Sequence, residues 1–112
     1  MNFFREIPGA DKLFQWFDGA PSFHDAEVLE LHFARSGKSW IRIMTVYKPA
    51  TVTFSLEGIP DLELADFSCQ NVISDLELDR RGGVFRLTMS PCYGIAGYVE
   101  AAGIAIDVIP RG

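Results

Sequence analysis

Ionisable side chains gather beside an apolar run at residues 22–28, Ser-Phe-His-Asp-Ala-Glu-Val. A histidine next to a carboxylate can move a proton or bind a metal ion, and His24, Asp25 and Glu27 supply both groups. On an extended backbone Asp25 and Glu27 share a face and His24 points the opposite way, whereas a turn would bring His24 and Asp25 together. These residues are the first candidate binding site. They also fit a small hydrolase or a metal-dependent enzyme.

A metal or catalytic site needs more than this segment supplies. Two or three ligands from one short segment make half a metal site. The one other histidine, His32, would lie roughly 26 Å from His24 along a continuous strand. The structural interpretation places Phe23 in the core, Ser22 or Asp25 at backbone groups of a turn, and His24 in a buried hydrogen bond. We therefore assign no catalytic residue, no metal and no cofactor.

Gln70-Asn71 is the second candidate binding site, because this amide pair interrupts a strand-rich region. Side-chain amides at such a place bind a ligand or bond across the sheet. The same pair is also typical of a bulge or an edge, where the backbone needs extra hydrogen-bond partners. Both interpretations stay open at the level of the sequence.

Acidic residues outnumber basic ones, fifteen to ten, so the net charge is −5. A negative field repels phosphate backbones, and we expect no nucleic-acid partner. Asp75, Glu77 and Asp79 alternate with leucines along one predicted strand and so share a face. This face either keeps the protein soluble or steers it onto a basic partner. An earlier acidic set comprises Glu57, Asp61, Glu63 and Asp66.

The cysteines and the start of the chain bear on location. Cys69 and Cys92 are too few for a disulfide scaffold and lack metal-binding spacing, so we expect two buried thiols in a reducing cytoplasm. Residues 1–7 show no apolar segment followed by a small-residue cleavage site. No apolar run approaches the ~20 residues that cross a bilayer. We expect a cytoplasmic protein without a membrane partner.

One short helix and a series of strands are predicted. Apolar side chains at helical spacing indicate a helix over residues 11–17, which a Gly-Ala-Pro stretch ends. From residue 26 to residue 109 the apolar period is two, with turns about every ten residues. In the first strand this period puts Leu29, Leu31 and Phe33 on one face, and the next strand is predicted over residues 40–47.

These elements predict an α+β fold in a single domain over residues 1–112. We expect a mostly antiparallel, strongly curved β-sheet of about seven to eight strands, mainly a meander, with the short N-terminal helix packed on it. Arg80-Arg81-Gly82-Gly83 is the predicted turn of one hairpin. An exposed edge strand of such a sheet would permit a homodimer.

Two stretches of the chain carry a resemblance to a known family. The first is Trp16 with residues 21–29, Pro-Ser-Phe-His-Asp-Ala-Glu-Val-Leu, and the second is residues 70–73, Gln-Asn-Val-Ile, with Asp75-Leu76. In this order they resemble the bacterial immunity protein 50 family, over most of the chain. The resemblance implies an aromatic helix, a turn and a sheet, and a polymorphic-toxin neighbourhood. It further implies a cognate toxin protein that is neutralised by binding, without catalysis and without established catalytic residues.

Overall fold

The computed structural model describes residues 3–111, which form one 3-10 turn, one α-helix and eight β-strands. The 3-10 turn spans Phe4–Glu6 and the helix, α1, spans Ala10–Phe17. The strands are β1 (Ala26–His32), β2 (Ser39–Met44), β3 (Ala50–Glu57), β4 (Asp61–Ala65), β5 (Val72–Arg81), β6 (Val84–Tyr93), β7 (Ala96–Ala101) and β8 (Gly103–Pro110). Every strand pair is antiparallel, which confirms the predicted antiparallel sheet with one helix.

The eight strands form one open sheet in the order β4-β7-β6-β5-β1-β2-β3-β8. Two halves, β5-β6-β7-β4 and β1-β2-β3-β8, meet where β1 pairs with β5. This joint consists of only two residue pairs, Ala26 with Ile73 and Glu27 with Val72. Buried apolar side chains from both halves contribute to one core cluster. A narrow joint therefore connects two broader strand surfaces that share a core.

The predicted meander holds for six of the eight strands. β1-β2-β3 and β5-β6-β7 each run between sequence neighbours. The other two strands depart from it, because β4 pairs with β7 and β8 pairs with β3. Ala102 alone separates β7 from β8, and residues 58–60 link β3 to β4. Apolar periodicity indicates that a segment is a strand, but which strand lies beside it depends on the faces that bury together.

Helix α1 confirms the predicted helix and begins one residue earlier, at Ala10. Gly9 precedes it with a φ of 92°, and a Cβ at this position would lie 1.9 Å from the carbonyl oxygen of Ile106 in β8. Glycine alone permits this approach of the two backbones. Leu13 of the helix is fully buried, and the helix packs against β8. Among residues 3–111, no helix is long and apolar enough to cross a bilayer.

Phe23 fixes the segment that leads into β1. Its ring centre lies 5.6 Å from that of Phe4 and 6.0 Å from that of Phe54, and the side chain is buried. Burial of such a side chain stabilises the fold by about 1.5–3 kcal/mol. The two residues that follow, His24 and Asp25, are therefore held at the surface by a neighbour in the core.

Strand β1 does not keep the predicted alternation. Its register with β2 shifts between Val28 and Glu30, so Leu29 lies in a β-bulge and is 42% exposed. Val28 is buried, and Leu31 and Phe33 pack against the core cluster. The prediction that Leu29 shares a face with Leu31 and Phe33 is wrong, because one extra residue reverses the alternation along a strand.

Strand β2 ends at Met44 and not at residue 47 as predicted. The Thr45 hydroxyl donates to the carbonyl oxygen of Lys48 at 2.7 Å and accepts from the N–H of Ala50 at 3.0 Å. The Thr45 N–H still donates to the carbonyl oxygen of Ala50 at 2.9 Å, but the hydroxyl takes the Ala50 N–H that a continued ladder would direct to a backbone carbonyl. Tyr47 consequently stands in a turn and is 64% exposed.

Both cysteines are exposed, so the expectation of two buried thiols is wrong. Cys69 lies in the loop between β4 and β5, and Cys92 lies near the end of β6, where three consecutive residues are exposed. Neither position lies on a strand face that packs against the core. The preference of cysteine for burial is overridden here by position in the sheet.

Candidate functional site

His24 and Asp25 occupy the two central positions of a β-turn. The N–H of Ala26 donates to the carbonyl oxygen of Phe23 at 3.0 Å and closes the turn. Asp25 has a φ of 63°, in the left-handed region that aspartate and asparagine tolerate better than other non-glycine residues. The turn brings the two side chains together, with Nε2 of His24 at 3.7 Å from Oδ2 of Asp25.

Tyr47 completes a cluster with these two residues. Its hydroxyl donates to Oδ2 of Asp25 at 3.1 Å. Its ring lies nearly parallel to the His24 imidazole, at 8°, with 6.1 Å between the ring centres. We call His24, Asp25 and Tyr47 the motif cluster. It presents an imidazole, a phenol and a carboxylate on the surface, and Tyr47 entered none of the sequence-based site predictions.

A backbone group of β5 orients the His24 ring. Nδ1 lies 3.0 Å from the carbonyl oxygen of Ser74. Because a carbonyl oxygen only accepts, Nδ1 is the donor and carries a hydrogen. The side chain is 57% exposed, so the expected buried hydrogen bond of His24 is wrong. The reason is that Phe23 fills the adjacent space in the core.

Asp25 raises the pKa of the Tyr47 hydroxyl. The hydrogen bond from this hydroxyl to the carboxylate is the main cause, followed by the negative charge of the same carboxylate and by desolvation. The Asp25 side chain thus accepts from a phenol, and not from the backbone groups of the turn as the structural interpretation expected. Tyr47 remains a neutral donor to higher pH than a free tyrosine.

Glu27 lies apart from the motif cluster, within β1. It pairs with Met44 on one side and with Val72 on the other. In the described part of the chain, no group of three or more His, Cys, Asp or Glu side chains is placed to hold a metal ion. A small enzyme at this site would have the His24–Asp25 pair and the Tyr47 phenol available. Glu27 does not lie beside them as a third metal ligand.

Asn71 and Gln70 have different surroundings. Oδ1 of Asn71 accepts from the N–H of Ser68 at 3.0 Å and of Ile95 at 3.1 Å, and Nδ2 donates to the carbonyl oxygen of Ser68 at 2.8 Å. Its own carbonyl accepts from the N–H of Val28 at 2.8 Å. Asn71 is buried and ties the loop before β5 to β1 and to Ile95, whereas Gln70 is exposed.

Strand register gathers acidic side chains on one outer face. Paired residues of antiparallel strands point to the same side of the sheet. From β5 across β6 and β7 to β4, the rows are Asp79–Arg86–Glu100–Asp61 and Glu77–Thr88–Tyr98–Glu63. Asp75 precedes them on β5, where the acids alternate with the buried Leu76 and Leu78. We call these six carboxylates the acidic face: Asp61, Glu63, Asp75, Glu77, Asp79 and Glu100.

Two arginines accompany the six carboxylates. Arg86 lies within the rows, with Nη2 at 3.0 Å from Oε2 of Glu100 and its guanidinium carbon 3.9 Å from the centre of the Tyr98 ring. Arg81 stands at the hairpin end of β5, opposite Val84. The Tyr98 hydroxyl donates to Asp61 at 2.8 Å, and this bond is the main cause of the raised pKa of Tyr98. The face therefore keeps a net negative charge.

The sequence-based predictions divided the residues of the acidic face among different sets, whereas strand pairing places them on one side of the sheet. Asp61 and Glu63 belonged to a different acidic set from Asp75, and Glu100 belonged to none. The alternation Asp-Leu-Glu-Leu at residues 61–64 indicates that Asp61 and Glu63 share a side. That this side continues onto β7 and β5 follows only from the pairing of β4 with β7.

The outer face of the other half carries a polar network that sequence reasoning also missed. Oε1 of Glu30 accepts from Nε1 of Trp40 at 2.6 Å and from Nη1 of Arg42 at 2.7 Å. His32 stacks on Trp40, with 4.0 Å between ring centres. His32 therefore belongs to this network and makes no contact with the motif cluster. Beside it, Arg42 and Arg111 line an open groove of 680 Å³ on β2, β3 and β8.

Comparison with known proteins identifies no relative of this chain. No family model matches the chain, and neither a curated protein nor a solved structure is significantly similar to it. The resemblance to the immunity protein 50 family thus remains a prediction, based on the residues that form the motif cluster and the start of β5.

Proposed function

We propose that this chain is a non-catalytic immunity-type protein, similar to the immunity protein 50 family, that neutralises a cognate bacterial toxin in the cytoplasm by direct binding. The observation that carries the proposal is the acidic face. Six carboxylates from β4, β5 and β7 point to one side of the sheet, accompanied by two arginines. This surface attracts a positively charged partner and disfavours a negatively charged one.

The charge is concentrated and not spread evenly over the molecule. The whole chain has a net charge of −5, and the acidic face alone holds six of its fifteen acidic residues. A surface of one sign raises the rate of encounter with a partner of the opposite sign and disfavours partners of the same sign. Toxin nucleases tend to be basic, because they bind phosphate backbones. An inhibitor with an acidic face suits such a target.

The motif cluster supports a second contact region beside the acidic face. Ser74, whose carbonyl bonds His24, directly precedes Asp75 of the acidic face on β5. A partner seated on β5 would therefore reach both surfaces. Tyr47 is largely exposed, and tyrosine side chains are enriched among the residues that dominate binding energies at protein interfaces.

Strong curvature of the sheet forms part of the same proposal. β7 and β8 are six positions apart in the strand order, and a flat sheet would separate them by about 29 Å. The single residue Ala102 between them spans far less than this distance. Folding of the two halves over the shared core would make the acidic face a convex outer surface, accessible to a large partner.

The test is a titration against the toxin that is encoded beside this protein. We expect a stoichiometric complex at micromolar concentration and inhibition of the toxin. The neutralising variant Asp75→Asn, Glu77→Gln, Asp79→Asn should weaken the complex at least tenfold. A matched control with the same charge change away from this face, Asp11→Asn, Asp18→Asn, Glu57→Gln, should weaken it far less. Absence of a complex, or equal losses in the two variants, would contradict the proposal.

A further inference from the structure

The two edge strands of the sheet differ in how their backbones are covered. The N–H of Ile106 in β8 donates to the carbonyl oxygen of Pro8 at 2.8 Å, and Gly9 lies against the carbonyl group of Ile106. The N-terminal segment thus protects the middle of β8. At the other edge, β4 pairs with β7 on one side, and within residues 3–111 no strand pairs with its other side.

An edge strand without a neighbour keeps hydrogen-bonding capacity. In an antiparallel pair, alternate residues bond to the neighbour and the others direct their N–H and C=O away from it. Every second residue of Asp61–Ala65 therefore offers a donor and an acceptor to a further strand. Four of these five residues are exposed. β4 is short, which limits uncontrolled pairing but leaves room for a specific strand.

The two sides of β4 have opposite character. Asp61 and Glu63 belong to the acidic face, whereas Leu62 and Leu64 point to the other side. Leu64 packs against the core, and Leu62 is 39% exposed. Leu62 also lines a groove of 440 Å³, together with apolar residues (Phe33, Leu56, Ile59) and polar residues (Arg35, Ser36, Ser39). The edge therefore borders carboxylates on one side and, on the other, the partly exposed Leu62 in a groove with both apolar and polar lining.

We infer that β4 is the docking edge for an extended segment of the partner protein, with basic residues alternating with apolar ones. Residues paired across strands share a side, so the partner's basic residues would face Asp61 and Glu63 and its apolar residues would lie beside Leu62. This inference rests on the proposed toxin-binding function and specifies how the partner is held.

Charge complementarity also decides between this partner and a second copy of the chain. Two β4 strands paired with each other would place Asp61 and Glu63 of one copy beside the same residues of the other copy. Like charges on neighbouring strands are destabilising. The homodimer through an edge strand is thus opposed by the same residues that favour a basic partner strand.

The experiment uses the full chain and a short synthetic peptide of alternating lysine and valine. Binding is followed by fluorescence anisotropy, and hydrogen exchange reports protection of β4 amides. Glu63→Lys should weaken binding at least tenfold. The matched variant Glu77→Lys makes the same change in the same cross-strand row, three strands away from the edge, and should weaken binding less than threefold. Equal losses would overturn the edge assignment.

A second measurement uses the unchanged protein and so does not depend on the folding of a variant. Two peptides carry N-methyl groups on either all lysine or all valine amides. Strand pairing requires that one series loses binding and the other retains it, because only alternate peptide amides face β4. Equal binding by both series, no binding by the unmethylated peptide, or a dimer through β4 would overturn the inference.

The outcomes separate this inference from the proposed function. A toxin complex that forms without protection of β4 amides would overturn the docking edge and leave toxin binding intact. Peptide binding at β4 without any toxin complex would contradict the toxin assignment and support the edge as a strand-binding site.

Discussion

At the scale of single residues, Asp25 combines a backbone requirement with a side-chain bond. Its φ of 63° is costly for most residues with a Cβ, and its carboxylate accepts from Tyr47. We expect Asp25→Ala to lower the free energy of unfolding by about 1–2 kcal/mol, because alanine is unfavourable in the left-handed region. Asp25→Asn should stay close to the unchanged protein, since asparagine tolerates this conformation and its amide oxygen still accepts.

Urea denaturation of both variants measures these free energies. Asp25→Gly is the control for the backbone, because glycine adopts this φ without strain and removes the carboxylate. Stability of Asp25→Ala equal to that of Asp25→Gly would contradict the backbone argument. A destabilised Asp25→Asn would show that the charge of the carboxylate matters more than the turn.

The titration of Tyr47 is a second prediction at this scale. Its pKa is raised, mainly by the hydrogen bond to Asp25, so the stabilisation is fully present below the ordinary tyrosine pKa. It is lost as pH rises through the higher pKa of the folded state. Asp25→Asn should lower the Tyr47 pKa towards its ordinary value. Absorbance titration, referenced to Tyr47→Phe, measures it.

Tyr98 serves as an internal control for this titration, because its hydroxyl bonds Asp61 and not Asp25. Its pKa should be unaffected by Asp25→Asn and lowered by Asp61→Asn. A Tyr47 pKa that does not respond to Asp25→Asn would contradict the hydrogen bond in the motif cluster.

At the scale of elements, Asn71 holds together segments that are distant in sequence. Its side chain accepts from Ser68 and Ile95, and both donors would lose their partner in Asn71→Ala. We expect the free energy of unfolding to fall by about 1–3 kcal/mol, because unsatisfied buried donors are costly. Thermal or urea denaturation checks this value.

Gln70→Ala is the matched control for Asn71→Ala, since the adjacent side chain is exposed. Its stability should change by less than about 0.5 kcal/mol, as for most surface substitutions. If Gln70→Ala reduces toxin binding without reducing stability, the amide pair divides into one structural and one binding residue. Equal destabilisation by both substitutions would contradict the burial-based argument.

The strands also show where the alternation of apolar residues predicts burial correctly and where it does not. Val52, Phe54 and Leu56 alternate with polar residues along β3, and all three are buried. In β1 the same rule misassigns Leu29, because a bulge depends on the register with β2 and not on the residues of β1 alone. The end of β2 likewise depends on bonds from the Thr45 side chain.

At the scale of the whole molecule, the acidic face predicts salt-dependent association. Between about 20 mM and 500 mM NaCl, we expect the association rate constant with the proposed toxin partner to fall at least tenfold, because salt screens the attraction before contact. The dissociation rate constant should change less. Stopped-flow fluorescence measures the association rate constant.

The neutralising variant Asp75→Asn, Glu77→Gln, Asp79→Asn should show a smaller salt dependence than the unchanged protein. The control variant with substitutions at Asp11, Asp18 and Glu57 should keep most of it. An association rate that is insensitive to salt would remove the acidic face as the surface that steers the partner, even if a complex forms.

The sequence alone determined the local features of this protein: helix α1, the strand-rich chain from β1 to β8, the Gly82-Gly83 hairpin and the acidic side of β5. These depend on periodicity and turn residues, which act over a few neighbouring positions. Three features arise only when distant segments pack together: Tyr47 meets Asp25, β4 and β7 extend the acidic face, and β4 lies at an open edge. Each of these depends on which apolar faces bury together, and residues far apart in the chain share that burial.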